Sequence, residues 1–540
     1  MIIKQKIKIY FSLLVIILII SLTTATFVVQ QNLSQIKRPV SAEMETAANQ
    51  NNLTTDVFAD IESQKYNFLS QYNYLIKGIE SLSDNACPIV ISTKTDPIPV
   101  LLYHGIVTEA DGTNVLVENF IKQMIALKKA SYTTITLSDF YQYMRGNKRL
   151  PEKSFLLTFD DGRKDSFYPV DSILELLDYN AVMFVITEHL DNQVGQFYLA
   201  EPEINYMLSS GRWEIQSHGH QAHNSYPINQ HGDQAHFLTN KLYLVEANRL
   251  ESQQEYQKRI TSDLLAAQEI LKNKFNRDII AFAFPSSDYG QSQTNCPDCE
   301  QIILNTTKKI YQLAFYQADL NNDDKFNYPL TDTFMIKRIT VLSDWDENNL
   351  LNIMKAGNNK KLPLDYSFTN QADWIKSWGG LEINNSLIQL KATESSQGSA
   401  IFLDGSRNWQ NYELKAVVNL KQGNYFSLVA HYQDNNNYLS CNYGLDSITL
   451  KQKVNGIDQI ILTWYNDFTL LKNNDQQVGI YVFNNIIRCS LNDEYILRTH
   501  RNNQLLNYGG IGFKTWDEQI NHSELIIKKI NVKAIEQYDK

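Results

Sequence analysis

Two runs of strand-forming residues each end in side chains that bind metals. The first is Phe155-Leu-Leu-Thr-Phe159, followed at once by Asp160-Asp161-Gly162. The second is Trp213-Glu-Ile-Gln-Ser217, followed by His218-Gly-His220-Gln-Ala-His223, which holds three of the chain's ten histidines. A carboxylate pair on one strand end and a histidine pair on another can close around a divalent cation. A chain built this way is directed to a fold whose strand ends converge, and to hydrolysis by activated water.

The surrounding pattern agrees. From Pro97 to about residue 357 strands and helices alternate. Strand candidates are Val100–Tyr103, Phe155–Phe159, Ala181–Thr187, Trp213–Ser217, Ile279–Phe284, Gln312–Tyr316 and Met335–Val341. Helical patterns lie between them, such as Val170, Ile173, Leu174 and Leu177, and a long one from about Leu242 to Lys274. This alternation predicts parallel strands with helices outside, as an open α/β sheet or a distorted (β/α) barrel. Chemistry in such folds collects at the carboxyl ends of the strands. His104, Asp160, Asp161, His218 and Pro285 all fall at or just after such ends. From about Asp365 to Ile535 the helical period disappears. Short alternating strands with turns rich in Asn, Asp and Gly predict an antiparallel β-sandwich. Five of the seven tryptophans lie there (Trp374, Trp378, Trp409, Trp464 and Trp516), most of them expected in its core.

With 540 residues, two or three domains are expected. The expected division is 1–30, 31–96, 97–360 and 365–540. Net charge is -10 and no long Lys/Arg block occurs beyond the first residues, which excludes nucleic acid as a partner. Five cysteines are too few to be the main scaffold. Cys296-Pro-Asp-Cys299 has no second pair to complete a zinc site and reads as a local disulfide or two thiols. Cys441 and Cys489 can pair if the compartment is oxidising. At the amino end, Lys4, Lys6 and Lys8 precede a nearly uncharged apolar run from Ile9 to Val29, long enough for a transmembrane helix. The lysines would stay cytoplasmic and the rest would be exported, anchored at the outer face of the cytoplasmic membrane. A cleaved signal peptide, and so a secreted protein, is the alternative. A polar linker follows. Then comes an amphipathic helix with a stripe of Phe58, Ile61, Phe68, Tyr72, Leu75, Ile79 and Leu82, either a self-associating stalk or a helix packed on the next domain.

Thr158-Phe159-Asp160-Asp161-Gly162 resembles the first signature of the NodB-homology polysaccharide deacetylases, carbohydrate esterase family four. The resemblance includes the strand Met183-Phe-Val-Ile-Thr187 after it. It implies that Asp160 is the general base and Asp161 a metal ligand. The family's second signature usually has two histidines four apart. Here Ala222 stands four after His218, and the histidines are five apart. That spacing is similar to the branch acting on poly-β-1,6-N-acetylglucosamine, and implies His218 and His223 as metal ligands, with His220 a neighbour in the pocket. In the same branch the acid lies in a segment like Pro99-Val-Leu-Leu-Tyr103-His104, which implies that His104 protonates the leaving amine. A late leucine–histidine signature is absent near Leu350–Met354. The third signature is altered: Phe284-Pro285-Ser286-Ser287 has Ser286 in place of an aromatic, and Ala283 stands where many members carry Arg. A backbone N–H survives at Ser286 for an oxyanion. Pro285 and Arg338 resemble substrate-side positions, although a salt bridge inside the barrel explains Arg338 equally well. The resemblance covers residues 97 to 345. The sandwich is similar to concanavalin- or laminin-G-like modules in strand pattern alone.

The expectation is a divalent-metal hydrolase that removes N-acetyl groups from an extracellular polysaccharide. Zinc is the expected ion, and cobalt, nickel or iron also fit. The rivals are an O-deacetylase and an inactive polysaccharide-binding protein.

Overall fold

The computed structural model describes residues 52–80, 96–190, 197–291, 294–319, 325–329, 333–368, 370–384, 387–500 and 506–536. The chain divides into two units, Met1–Glu62 and Ser63–Lys540, and the second holds both of the large folds below.

Seven strands are parallel and form a closed ring: β1 (Val100–Tyr103), β2 (Ser154–Phe159), β3 (Ala181–Val185), β4 (Trp213–Ser217), β5 (Ala281–Ala283), β6 (Leu313–Gln317) and β7 (Met335–Thr340). Their order round the ring is β1-β7-β6-β5-β4-β3-β2, and β2 pairs back onto β1 through Val100–Leu156 to Tyr103–Phe159. A short strand, Thr133–Thr134, adds to the outside of β2. Every residue of β1, β2 and β3 is buried, as expected where one face meets the barrel interior and the other the surrounding helices. Val100, Leu156, Val182, Phe184, Ala283, Leu313 and Phe315 fill the interior. The helix Leu137–Met144 contributes Leu137, Phe140 and Tyr143 to the same cluster. Its Leu137 N–H donates to Glu214 near the start of β4, and Tyr143 Oη donates to the Asp96 carbonyl before β1. This helix closes the amino end of the ring and leaves the carboxyl end for chemistry.

Two departures from the sequence expectation have clear causes. The long helix begins at Gln253, not near Leu242. Ser252 and Glu255 form a reciprocal capping box there, while Tyr243–Leu244 and Arg249–Leu250 pair as an antiparallel hairpin. The expected fold class is also corrected. The described residues form a parallel barrel core with large antiparallel sheets resembling a sandwich, and no transmembrane helix is found among them. The stretch Ile9–Val29 lies outside the described residues. Among those described, no helix is long and apolar enough to cross a membrane. A spanning helix needs about 20 mostly apolar residues. The two longest described helices, Asn52–Gln71 and Gln253–Phe275, are interrupted by charged side chains. The membrane as a partner, and an anchored location on its outer face, therefore have no described helix to rest on and are withdrawn.

The helix Asn52–Gln71 is not the free stripe of a stalk from Ser63 onward. Lys65 is buried, its Nζ 2.8 Å from both Asp171 and Glu175 on the helix Tyr168–Leu177. Beyond the helix Glu347–Ala356 the chain forms two antiparallel sheets that share one core. Cys441 and Cys489 belong to different sheets and form a disulfide across that core; Cys296 and Cys299 form the local one. Trp374 and Trp409 are buried, and Trp464 is exposed on the edge strand Ile457–Tyr465.

Candidate metal centre and active site

The strand β2 delivers Asp160 and Asp161 at its carboxyl end, and the chain then turns sharply. Asp161 (φ 70°) and Gly162 (φ 69°) both have left-handed backbones. A side chain at 162 would press on Val185 of β3, so glycine is needed there. His218 leaves the end of β4, and His223 returns from the loop beyond it.

The ligand atoms of Asp161, His218 and His223 all lie within 4.8 Å of one another. Asp161 Oδ1 is 3.4 Å from His218 Nε2 and 3.5 Å from His223 Nε2. His218 Nδ1 is 2.8 Å from the Ala283 carbonyl oxygen, which only accepts. Nδ1 therefore carries a proton and Nε2 faces Asp161: with a second proton the ring donates to that carboxylate, and without it Nε2 offers the lone pair that a metal ligand needs. For the Asp161 carboxyl, burial pushes the pKa up, but the hydrogen bond and charge of His218 outweigh it and hold it low. Two imidazole nitrogens and one carboxylate oxygen facing a common point fit a divalent cation and leave coordination positions open. His220 is outside this cluster, and its Nδ1 lies 3.0 Å from Thr187 Oγ1.

The neighbouring Asp160 is not one of the cluster's ligands. It meets Arg338 of β7 as a bidentate pair, with Oδ1–Nη1 2.6 Å and Oδ2–Nη2 2.7 Å. Arg338 is 0% exposed and Asp160 2%. Burial raises the Asp160 pKa, while Arg338 and then His218 lower it further, so the carboxyl stays ionised. Arg338, for which a substrate-side position and a salt bridge inside the barrel were both open, makes its salt bridge with Asp160. His104 follows β1. Burial lowers its pKa, Asp160 and Asp161 pull it back up, and the net is below the ordinary histidine value. Ser166 Oγ donates to the His104 carbonyl at 2.6 Å and holds the backbone there.

Pro285 is buried at the start of a single 3₁₀ turn after β5. Ser286 (φ 54°) and Ser287 (φ 57°) are both left-handed, a costly backbone held by its surroundings. Ser287 Oγ accepts from the Gln317 N–H at 2.7 Å, and Asp288 Oδ2 accepts from Thr239 Oγ1 at 2.7 Å. The first N–H groups of a helical turn have no partner within it, and the Ser286 N–H is one of these.

Some residues around the site were not anticipated. Asp263, inside the helix Gln253–Phe275, bonds the backbone of the histidine loop. It stands among Tyr256, Ile260, Leu264, Ala267 and Leu271 on the buried face, and a carboxylate in an apolar stripe was the available signal. Tyr198 stacks on His189 with ring centroids 3.9 Å apart; burial and then Asp161 raise the Tyr198 pKa, while burial lowers that of His189 against the smaller opposing effects of Glu188 and Asp161. No spacing rule would have paired these two.

The profile of the polysaccharide deacetylase family matches residues 147–296, which include Asp160, Asp161, His218 and His223. The poly-β-1,6-N-acetyl-D-glucosamine N-deacetylase of Escherichia coli (strain K12) is 25% identical over 183 residues. That match takes in 32% of this chain and 27% of the E. coli protein, so the chain spans about a quarter of that relative's length. The protein of the same name from Staphylococcus aureus (strain N315) is 24% identical over 228 residues, 42% of this chain and 67% of that protein. A solved de-N-acetylase from Aggregatibacter actinomycetemcomitans is 21% identical, with a TM-score of 0.41, over 48% of this chain and 99% of that one. The chain therefore carries a polysaccharide deacetylase domain with a hydrolase active site and a candidate divalent-metal site.

Proposed function

We propose that this protein removes N-acetyl groups from a polysaccharide containing N-acetylglucosamine. The observation that carries the reading is the Asp161–His218–His223 cluster beside a buried, ionised Asp160 at the open end of the barrel. Zinc suits two imidazoles and a carboxylate, and cobalt, nickel or iron would also be accepted. A cation held there supplies a water acidic enough to attack at neutral pH and a Lewis acid for the acetyl carbonyl.

The chain's own groups do the rest. Asp160 accepts the proton of the attacking water, and Arg338 keeps it ionised and aimed. The Ser286 N–H donates to the oxyanion as negative charge gathers on the former carbonyl oxygen. His104 donates a proton to the sugar nitrogen as its bond to the acetyl carbon breaks. Burial holds the His104 pKa low, which makes its protonated form a stronger acid. Residues 97–360 are taken as the deacetylase domain and 365–540 as a polysaccharide-binding module.

Acetate release from a panel of N- and O-acetylated glycans tests this. Wild type should release acetate from the amide-linked substrate. Asp160→Asn and His104→Ala should each lose at least roughly a hundredfold in kcat. Full activity of His104→Ala on esters, with none on amides in wild type, would reassign the enzyme as an O-deacetylase. Metal binding without acetate release from any glycan would leave a binding protein.

A further inference from the structure

The two candidate histidine ligands are five residues apart, and something must hold the four residues between them so that His223 turns back to Asp161. We propose that Asp263 is that positioning residue. This deepens the metal-centre reading above and rests on it.

Asp263 is buried on the inner face of the helix Gln253–Phe275. Both of its oxygens are used by the loop. Oδ1 accepts from the Gln221 N–H at 2.6 Å, and Oδ2 accepts from the His220 N–H at 3.2 Å. A carboxylate can take two donors on separate oxygens, whereas an asparagine offers one acceptor oxygen and an NH₂ that cannot accept. The loop bends tightly around this carboxylate. Gly219 has φ 87°, and a side chain there would lie 2.5 Å from Ala222 Cβ and 3.3 Å from Asp263 Oδ2. The other tethers are consistent with a fixed path. The Thr187 N–H donates to the Gly219 carbonyl at 3.0 Å, and the Asn224 N–H donates to the Gln221 carbonyl at 2.9 Å. Glu188 accepts from Asn224 Nδ2 at 2.8 Å. Among these tethers Asp263 alone grips the two central N–H groups.

Burying a carboxylate is costly, and burial does push the Asp263 pKa up while the Gln221 and His220 N–H groups pull it down. A group kept at such cost in an otherwise apolar stripe is accounted for by what it orients. Asp263 touches neither the cation position nor the substrate in this scheme. It acts through the backbone, as outer partners of metal ligands do.

The test reads metal binding, not turnover. Zinc is titrated into full-length wild type, Asp263→Asn and Asp161→Asn in competition with a chromophoric chelator. Cobalt-substituted samples are examined by visible absorption. Asp263→Asn should bind zinc roughly ten- to a hundredfold more weakly than wild type. Its cobalt bands should shift, and its amides at His220 and Gln221 should exchange faster with solvent. Wild-type affinity and wild-type cobalt bands in Asp263→Asn would overturn the role of Asp263, provided Asp161→Asn has lost binding. Wild type that binds neither ion would overturn the metal-centre reading itself. If Asp263→Asn does not fold, amide exchange in wild type decides. Strong protection at His220 and Gln221 is expected, and exchange at open-loop rates would overturn the proposal. Acetate release enters none of these readouts, so a wrong substrate leaves them intact.

Discussion

Arg338 and Asp160 face each other with almost no exposure to water. Two opposite charges in such a place are worth little as a pair, because desolvation offsets their attraction, but breaking the pair strands the survivor. Arg338→Met should therefore cost about 3 kcal/mol of stability, measured by urea unfolding. It should also lower kcat by roughly a hundredfold through the loss of an aligned base, with zinc affinity unchanged. Arg338→Lys should restore only part of the rate, since an ammonium cannot match the two parallel bonds of the guanidinium. Zinc affinity falling together with kcat in Arg338→Met would move Arg338 from Asp160's orientation to the metal site. His104, Asp160, Asp161 and His218 stood out in the sequence because they fall at or just after strand ends, and His223 because it lies five residues after His218. Arg338's attachment did not, because its partner is 178 residues away in the chain. The grip of Asp263 on the histidine loop is hidden for the same reason.

The helices decorate the barrel through a few specific contacts. Lys65 of the helix Asn52–Gln71 reaches Asp171 and Glu175, and Arg212 Nη2 shares Asp171 at 3.0 Å. Burial pushes the Asp171 carboxyl up, but Lys65 and Arg212 bring it below the ordinary carboxylate value. An acid with a lowered folded pKa stabilises the protein above its unfolded pKa of about 4 and loses that contribution as pH falls through the folded value. Asp171→Asn should thus be about 3 kcal/mol less stable at pH 7, and the deficit should shrink as the solution is acidified below that lowered value. Urea unfolding at pH 7 and in acid checks both. The disulfide Cys441–Cys489 closes a separation of 48 residues between the two sheets. The chain-entropy argument gives it about 4 kcal/mol, so the Cys441→Ala/Cys489→Ala double variant should unfold at markedly lower denaturant. Element type was visible in the periodicity, as in the apolar runs of β2 and β3. The start of the long helix was misplaced because Tyr243–Leu244 and Arg249–Leu250 carry apolar residues at spacings that a helix also accepts. Their pairing with each other is a contact between segments, which periodicity does not record.

At the scale of the molecule, the barrel gathers residues from β1, β2, β4, β5 and β7 at one end, and a cation there would link folding to binding. Removing divalent metal with a chelator should abolish acetate release and leave the far-ultraviolet circular dichroism intact, because the barrel is closed by strand pairing and not by the ion. Restoring zinc at a thousand times its Kd should raise stability by about 4 kcal/mol, seen as a higher melting temperature. Loss of the barrel's secondary structure on chelation would mean that the ion is structural. The sequence alone determined which side chains could bind a metal, that strands and helices alternate over the first large fold, and that only strands follow. Those are properties of neighbours along the chain, written in composition and period. The tertiary structure decided that Asp161, His218 and His223 share one point, that Arg338 belongs to Asp160, and that Asp263 supports the histidine loop. Ring closure brings together residues tens to hundreds of positions apart, and no local pattern specifies which of them will meet.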